Sequence, residues 1–417
     1  MSASSIPGGR TKADDSVSLE IEDAPHPLQA LRRRLAGPLV RNVASGQTAL
    51  SPEVLHETVA FYRDPSRFAG EQRRFFRETP VVACLSAELP EPGSFRTFDE
   101  AGIPIVLTRG KDGIVRAFLN VCPHRASRIV RETQGKASRF TCRFHGWTFD
   151  CTGKALGIPG ADRFGAPEDI DPYRNLIACP AEERHGLVFV LPDPEGVMDL
   201  NTHLAGIESD LAAIGLGDAD VVHEDVLSVD ANWKYGLDTF FETYHLNALH
   251  FETFRGLFSP ICVFDTFGPH HRYTFAPLGI EGWTDMAETD WPVDAMPLQY
   301  FLFPNTIISV GSTSPKGLTV NVHRIFPSSA DHFTSSLSYC AIGGIVSAEH
   351  REEVERAYLV ARAALVDEDY SVAAEAHSGL AALPAKTNLP VGRQEIGVWN
   401  FHRNVDRLLG STDLSQA

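Results

Sequence analysis

The sequence predicts an α+β protein in two parts, a small antiparallel β domain followed by a larger domain whose antiparallel sheet is covered by helices. Three observations carry that expectation. Between Val81 and Pro192, short apolar runs such as PIVLTR, VRAFLNV, RFTCRF and GLVFVL are separated by the turn signals KDG, QGK and CTGK roughly every ten residues. Further on, the strand-like TIISVGS, LTVNVHRIF and TSSLSYCAI alternate with helical stretches near residues 201–215, 231–250 and 347–380. At 417 residues the chain also exceeds the size at which a single core usually stops growing.

Taken in order, residues 1–48 mix Gly, Pro, Ser and charge around one short helical segment, LQALRRRLAGPL, and read as a flexible or wrapping arm. Residues 49–80 open on Ser51-Pro52-Glu53, a helix-start signature, and continue with helical spacing, so two helices are expected. Residues 81–195 form the small β domain. Residues 196–417 form the second unit, a sheet with helices on one side.

Composition excludes several classes. With 54 acidic against 37 basic residues, the net charge of -17 gives no broad phosphate-binding face, so nucleic acid is not an expected partner. No apolar run approaches the roughly 18 to 20 residues of a membrane helix, and MSASSIPGGRTKADDS has no apolar stretch after its charges. Seven cysteines spread over this length do not make a disulfide framework. A soluble, cytoplasmic protein is expected, with cysteines free to bind metal.

The pattern Cys122-x-His124-x17-Cys142-x2-His145 places each half in a turn between expected strands, so two loops converge. Two metals compete for two thiolates and two imidazoles. Structural zinc usually takes a Cys pair from one loop and a His pair from another. Here each loop gives one of each, as a Rieske [2Fe-2S] centre needs, with both cysteines on one iron and both histidines on the other. Gly146-Trp147, Gly153 and Pro159 supply tight turns and a cover. CPHR followed by CRFHGWTFDCTGK resembles the Rieske domain of the aromatic-ring-hydroxylating, or Rieske non-heme iron, oxygenases, and the resemblance runs from about residue 60 to the end. It implies a catalytic domain of helix-grip, START-like form.

The second half contains NWKYGLDTFFETYHLNALH, Asn232 to His250. On a regular helix Asp238, Glu242 and His245 share one stripe, whereas His250 points roughly 140° away unless the helix ends or bulges. Zincin histidines lie four apart, which excludes that class. Two histidines and one carboxylate with open positions make the facial triad of iron(II) oxygenases. The resemblance, through Asn232-Trp233-Lys234, Glu242, His245 and His250, implies that His245 and His250 bind mononuclear Fe(II). It also implies that Glu242 is the carboxylate bridging to a Rieske histidine, by analogy His145, of a neighbouring subunit. Relatives commonly carry Asn where Asp238 stands, so Asp238 is taken as an added charge at the catalytic site. For the third iron ligand, VDEDYSVAAEAHSGL offers Asp367, Glu368 and Asp369; the family's spacing selects Asp369, with Glu368 next.

Arg125, Arg128, Arg131, Lys136, Arg139 and Arg143 surround the first motif against the single acid Glu132, a basic collar that invites an acidic redox protein. The resemblance implies a ferredoxin or flavin reductase donor, fed by NAD(P)H. It further implies O2 and a small organic substrate, and a homotrimer or two stacked trimers. Phe251, Phe254, Phe258, Phe264, Phe267, Phe275, Tyr300, Phe301 and Phe303 are candidate walls of an aromatic pocket, with Arg255 or Arg272 as a hold for a substrate carboxylate. Phe401-His402-Arg403 resembles a structural C-terminal element. The reaction expected is hydroxylation or dihydroxylation; an oxidative O- or N-demethylase shares the same metal centres, and an electron carrier with an inactive second site is the reading from another class.

Overall fold

The computed structural model describes residues 27–253, 258–311 and 317–410. The first part of the expected arm, residues 1–26, lies outside them. The rest of the arm is not loose: Pro27–Ser45 is one helix of 19 residues whose Leu28, Leu31, Leu35 and Leu39 are buried. The spacing of these leucines is helical, and they bury one stripe against the large sheet.

The helix start expected at Ser51 is not there. Ser51 is buried, its N–H donating to Arg393 O at 2.7 Å, and Leu55–Thr58 is a strand paired antiparallel with Asn388–Val391. A local helix signature lost to a long-range pairing that no nearby residue announces. Two helices follow instead, Val59–Arg63 and Pro65–Phe76, the second capped by Asp64 with Pro65 in its first turn. Glu71 on this helix is fully buried and accepts from Lys234 Nζ at 2.7 and 2.8 Å and from Trp233 Nε1 at 2.9 Å. An ion pair this deep costs about 3–5 kcal/mol when one partner is removed, so it ties the N-terminal helix to the second unit.

The small β unit is built from a five-stranded sheet, including Ser94–Phe98, Ile105–Arg109 and Val115–Leu119, and two three-stranded sheets. One of the latter, Arg139–Thr141, Thr148–Asp150 and Ala155–Gly157, carries the second Cys/His loop. The first loop follows Val115–Leu119 and is closed by the Val121–Arg128 bridge.

The second unit is organised by a seven-stranded antiparallel sheet, in the order Ala219–Val229, His332–Ile342, Leu318–Ser329, Thr306–Val310, Leu298–Leu302, His270–Pro277, Phe258–Phe267. Its strands alternate with period two. Leu298, Tyr300, Ile308, Val310, Val320, Val322 and Cys340 face the Pro27–Ser45 helix. Phe301, Ile307, Leu337 and Tyr339 face the helices Trp233–Asp238, Ala348–Ala363, Tyr370–Gly379 and Ile396–Gly410. Helices thus cover both faces, not one, which is why the central strands bury apolar residues on both sides. Among the described residues no helix is long and apolar enough to cross a membrane.

Candidate metal centres and substrate cavity

The two Cys/His loops fold alike. Ala126 N–H donates to Cys122 O at 2.8 Å and Gly146 N–H to Cys142 O at 2.9 Å, and both residues have positive φ, 54° and 75°. Both thiols are buried. Burial pushes the Cys122 thiol up. At Cys142 burial acts the same way, but the N–H groups of Phe144 and His145 and the Cys122 thiol outweigh it and hold Cys142 below the ordinary range. The His124 and His145 rings lie 4.6 Å apart, centre to centre; His124 stacks on Trp147 at 5.2 Å, and His145 is exposed. The four donors do not form a single-ion cage: among the described residues the one group of three or more whose donor atoms all lie within 4.8 Å is elsewhere. Two sulfurs together and two rings together, spread beyond one coordination sphere, suit a two-iron cluster better than one zinc.

That other group is His245, His250 and Asp369. The helix bearing the Asn-Trp-Lys motif is short, Trp233–Asp238, with Asn232 accepting from Lys234 N at 3.1 Å as its cap. The expected helical stripe therefore does not exist. The carbonyl that would continue the helix to His245, Phe241 O, is taken by Tyr273 Oη at 2.5 Å and Val398 N at 3.2 Å, and the His245 N–H donates instead to Glu242 Oε2 at 3.0 Å. Ala248 and Leu249 then both donate to His245 O, a turn that swings His250 back beside His245.

The third member comes from a π-turn, Ala364–Asp369, between the helices Ala348–Ala363 and Tyr370–Gly379. His245 Nε2 lies 3.2 Å from His250 Nε2; Asp369 Oδ1 lies 3.2 Å from His250 Nε2 and 3.7 Å from His245 Nε2. Adjacent ligands of one ion with bonds of ~2.1 Å sit about 3 Å apart. Each ring's other nitrogen is held by a carboxylate, His245 Nδ1 by Glu242 and His250 Nδ1 by Glu368 at 2.6 Å. Those bonds place the ring protons on Nδ1 and leave two Nε2 lone pairs facing each other, with Asp369 Oδ1 buried and, among the described residues, without a hydrogen-bond partner. A cation resolves all three at once.

Glu368, the runner-up for third ligand, stands behind His250 and also accepts from Thr253 Oγ1 at 2.6 Å. Asp238 is a correction. Its carboxylate accepts from Tyr62 Oη at 2.9 Å and meets His402 Nε2 at 3.0 Å, because the helix ends at Asp238 and no longer carries it round to Glu242. The same contact gives His402, in the C-terminal element, a structural partner.

A cavity of about 450 Å³ opens beside the triad. Its wall is one helical face, Val354, Ala357, Ala361, Ala364 and Leu365 leading to Asp369, opposite the sheet residues Gln299, Ser309, Asn321, His323 and Tyr339. Of the aromatic residues expected there, Phe275 lines it; Tyr300, Phe301 and Phe303 are packed in the cores instead, and Phe251 is largely exposed. Phe254, Arg255 and the Phe258 side chain lie outside the described residues. Arg272 is no substrate hold: it is buried between Asp210 and Asp265. In the collar, Arg128 is paired with Asp99 and Lys136 with Glu91, while Arg125 lies over the Phe144 ring at 5.0 Å.

Comparison with known families agrees with this geometry. The family described as "Rieske [2Fe-2S] domain" matches residues 79–178, and "Ring hydroxylating alpha subunit (catalytic domain)" matches residues 216–411. The chain belongs to the Rieske oxygenase alpha subunits. Its relatives include the oxygenase subunit of glycine betaine monooxygenase from Chromohalobacter salexigens, 32% identical over 47% of this chain and 43% of that protein. Another is the alpha subunit of 2-aminobenzenesulfonate 2,3-dioxygenase from an Alcaligenes species, 34% identical over 46% and 48%. The chain spans about half the length of the curated relatives it matches. Among solved structures, a quaternary ammonium Rieske monooxygenase in complex with L-carnitine aligns with a TM-score of 0.73 at 22% identity, covering 86% of this chain and 97% of that one. Naphthalene 1,2-dioxygenase from Rhodococcus, bound to indole, aligns at 0.72 and 20%, covering 91% and 99%. At those identities the likeness shows the shared Rieske oxygenase fold.

Proposed function

We propose that this chain is the terminal oxygenase component of a multicomponent Rieske oxygenase, which uses electrons from NAD(P)H, passed on by a reductase or ferredoxin, to oxidise an organic molecule with O2. The observation that carries the reading is the convergence of His245, His250 and Asp369 at a cavity in the same chain as the paired Cys/His loops. A [2Fe-2S] cluster on Cys122, Cys142, His124 and His145 supplies one-electron relay, and Fe(II) on the triad supplies O2 activation.

The residues divide the work. His245, His250 and Asp369 would hold the Fe(II) at the edge of the cavity, where it would supply O2 activation beside a bound substrate. Glu242 and Glu368 fix both rings in the tautomer that presents Nε2, and Thr253 fixes Glu368 in turn. The apolar helical face keeps bulk water from the reacting end. The exposed His145 ring stacks on Phe144, over which Arg125 lies, and with the exposed Arg139 and Arg143 of the same hairpin this basic surface suits contact with an electron-donor protein. Transfer from His145 to Glu242 of a second copy, in a trimer, is supported by the surface position of both loops: Tyr244, two residues after Glu242, is 71% exposed.

The named relatives divide between monooxygenases of quaternary ammonium compounds and dioxygenases of benzene derivatives. Counting 18O atoms in the product separates hydroxylation or demethylation from dihydroxylation. The deciding experiment measures iron per chain and NAD(P)H-dependent O2 uptake with a surrogate reductase. About three irons with coupled product formation supports the oxygenase. Two irons and no product leaves an electron carrier.

A further inference from the structure

The cavity side of the large sheet carries one cross-strand row of polar residues. Gln299 is opposite Ser309, Ser309 opposite Asn321, and Asn321 opposite Tyr339, so all four share a face. Two residues along from Asn321 on the same strand, His323 shares that face.

These groups are not equivalent. Gln299 is satisfied from both sides: its Nε2 donates to Phe240 O and its Oε1 accepts from Ser309 Oγ at 3.4 Å. Among the described residues, Asn321 Oδ1 and His323 Nδ1 are buried without a hydrogen-bond partner, although both residues line the cavity. His323 is 5% exposed and rests on the Phe240 ring, 4.9 Å between centres. Leaving such a group unpaired costs about 1–3 kcal/mol each, so an apolar residue would serve a merely structural role better. The positions opposite His323 on the neighbouring strands, Ile307 and Leu337, are apolar and buried.

We propose that Asn321 and His323 form a hydrogen-bonding subsite that selects a substrate carrying an uncharged polar group, a hydroxyl, carbonyl or N–H, and turns its apolar remainder toward the His245, His250 and Asp369 end. The inference rests on the oxygenase reading for the meaning of "substrate". Burial pushes the His323 imidazole down to about 3, so at neutral pH it offers one N–H and one lone pair and no charge. A carboxamide beside it adds a second donor and acceptor, a set that matches a neutral group better than an ion.

The test uses matched probes that differ in one group: indole against indene, and 1-tetralone against tetralin. Binding to the iron-loaded protein is measured by titration calorimetry under argon, so no turnover is needed. The polar member of at least one pair binds the native protein about tenfold or more tighter, and the preference falls below about threefold in Asn321→Leu with His323→Leu. Retained cluster absorbance shows that the double variant is folded, and His323→Gln, which keeps a donor and an acceptor, restores part of the preference. No discrimination in the native protein, or discrimination surviving in the double variant, overturns the subsite. O2 uptake is scored separately: a protein that discriminates the probes but never consumes O2 keeps the subsite and loses the oxygenase reading.

Discussion

The two candidate metal centres are built on opposite plans. The Cys/His loops sit at the surface, with His145 exposed, and each is closed by its own backbone bonds within a few residues. The triad is more deeply set, with His245 half-buried and His250 at 3% and Asp369 at 8% exposure, and joins a turn near residue 245 to a π-turn more than a hundred residues later. Among the described residues, only the triad has a carboxylate behind each imidazole. A centre that trades electrons with another protein has to be reachable. A centre that holds an ion next to O2 and substrate has to be fixed and shielded, and the extra carboxylates provide the fixing.

The largest effects come from removing one centre and leaving the other. Cys142→Ser bleaches the visible cluster absorption, since a thiolate ligand is lost outright. His245→Ala keeps that absorption, lowers iron by about one per chain and abolishes product formation. Iron analysis and a spectrum on the same samples check both. Loss of cluster absorption in His245→Ala destroys the idea of two separate centres.

Next in size is the distinction between Asp369 and its neighbour Glu368. Asp369→Ala removes the triad iron altogether. Glu368→Gln keeps an atom near His250 Nδ1 but removes the charge, and weakens iron binding by roughly 10- to 100-fold. Competition with a calibrated chelator measures both. Equal losses would mean that the two carboxylates share the ligand role.

How far the sequence reveals each centre follows from the same contrast. The Cys/His loops are legible because ligand, turn glycine and strand all lie within about 25 residues, and local spacing encodes their geometry. The fold class is legible for a related reason, because strand period and turn signals are local. The iron histidines are legible only through the motif that contains them. Their helix does not reach them, since Phe241 O is claimed by Tyr273 and Val398, which lie far along the chain. The misassignment of Asp238 has that cause. Glu71, which receives Lys234 and Trp233, and the pair Asn321 and His323 carry no sequence signal: a strand polar residue facing a cavity reads like one facing water. The Leu55–Thr58 strand was hidden in the same way by its partner at Asn388–Val391.

Acid sharpens the contrast further. In the triad's unit burial lowers His270 to about 4 and His271 and His323 to about 3, so these rings stay neutral when folded. Unfolded histidine titrates near 6.5, so above that pH the groups contribute nothing. As pH falls toward 4 the unfolded chain takes up protons that the folded one refuses, and stability drops by about 1.4 kcal/mol per pH unit for each ring. His271 lies among Phe241, Phe264 and Phe301. His271→Phe therefore removes about 2 kcal/mol of that acid penalty at pH 5, read as a shallower fall of denaturation midpoints between pH 6.5 and 5. A slope identical to the native one means that His271 is protonated in the fold.

The smallest effect compares the two cluster loops with each other. Both need a left-handed residue four places after the cysteine, and one loop meets the need with Gly146 while the other uses Ala126. An L-residue held there costs roughly 1–2 kcal/mol, part of which glycine would return as added freedom of the unfolded chain. Ala126→Gly is therefore expected to keep the cluster and to stabilise the protein by no more than about 1 kcal/mol. Gly146→Ala runs the other way, because its new Cβ meets Pro159 Cγ at 3.3 Å in addition to the backbone strain. Denaturation midpoints of the two variants, with cluster absorbance as the check on folding, should move in opposite directions. If both fall, Ala126 is held by contacts of its methyl group rather than tolerated in spite of its backbone.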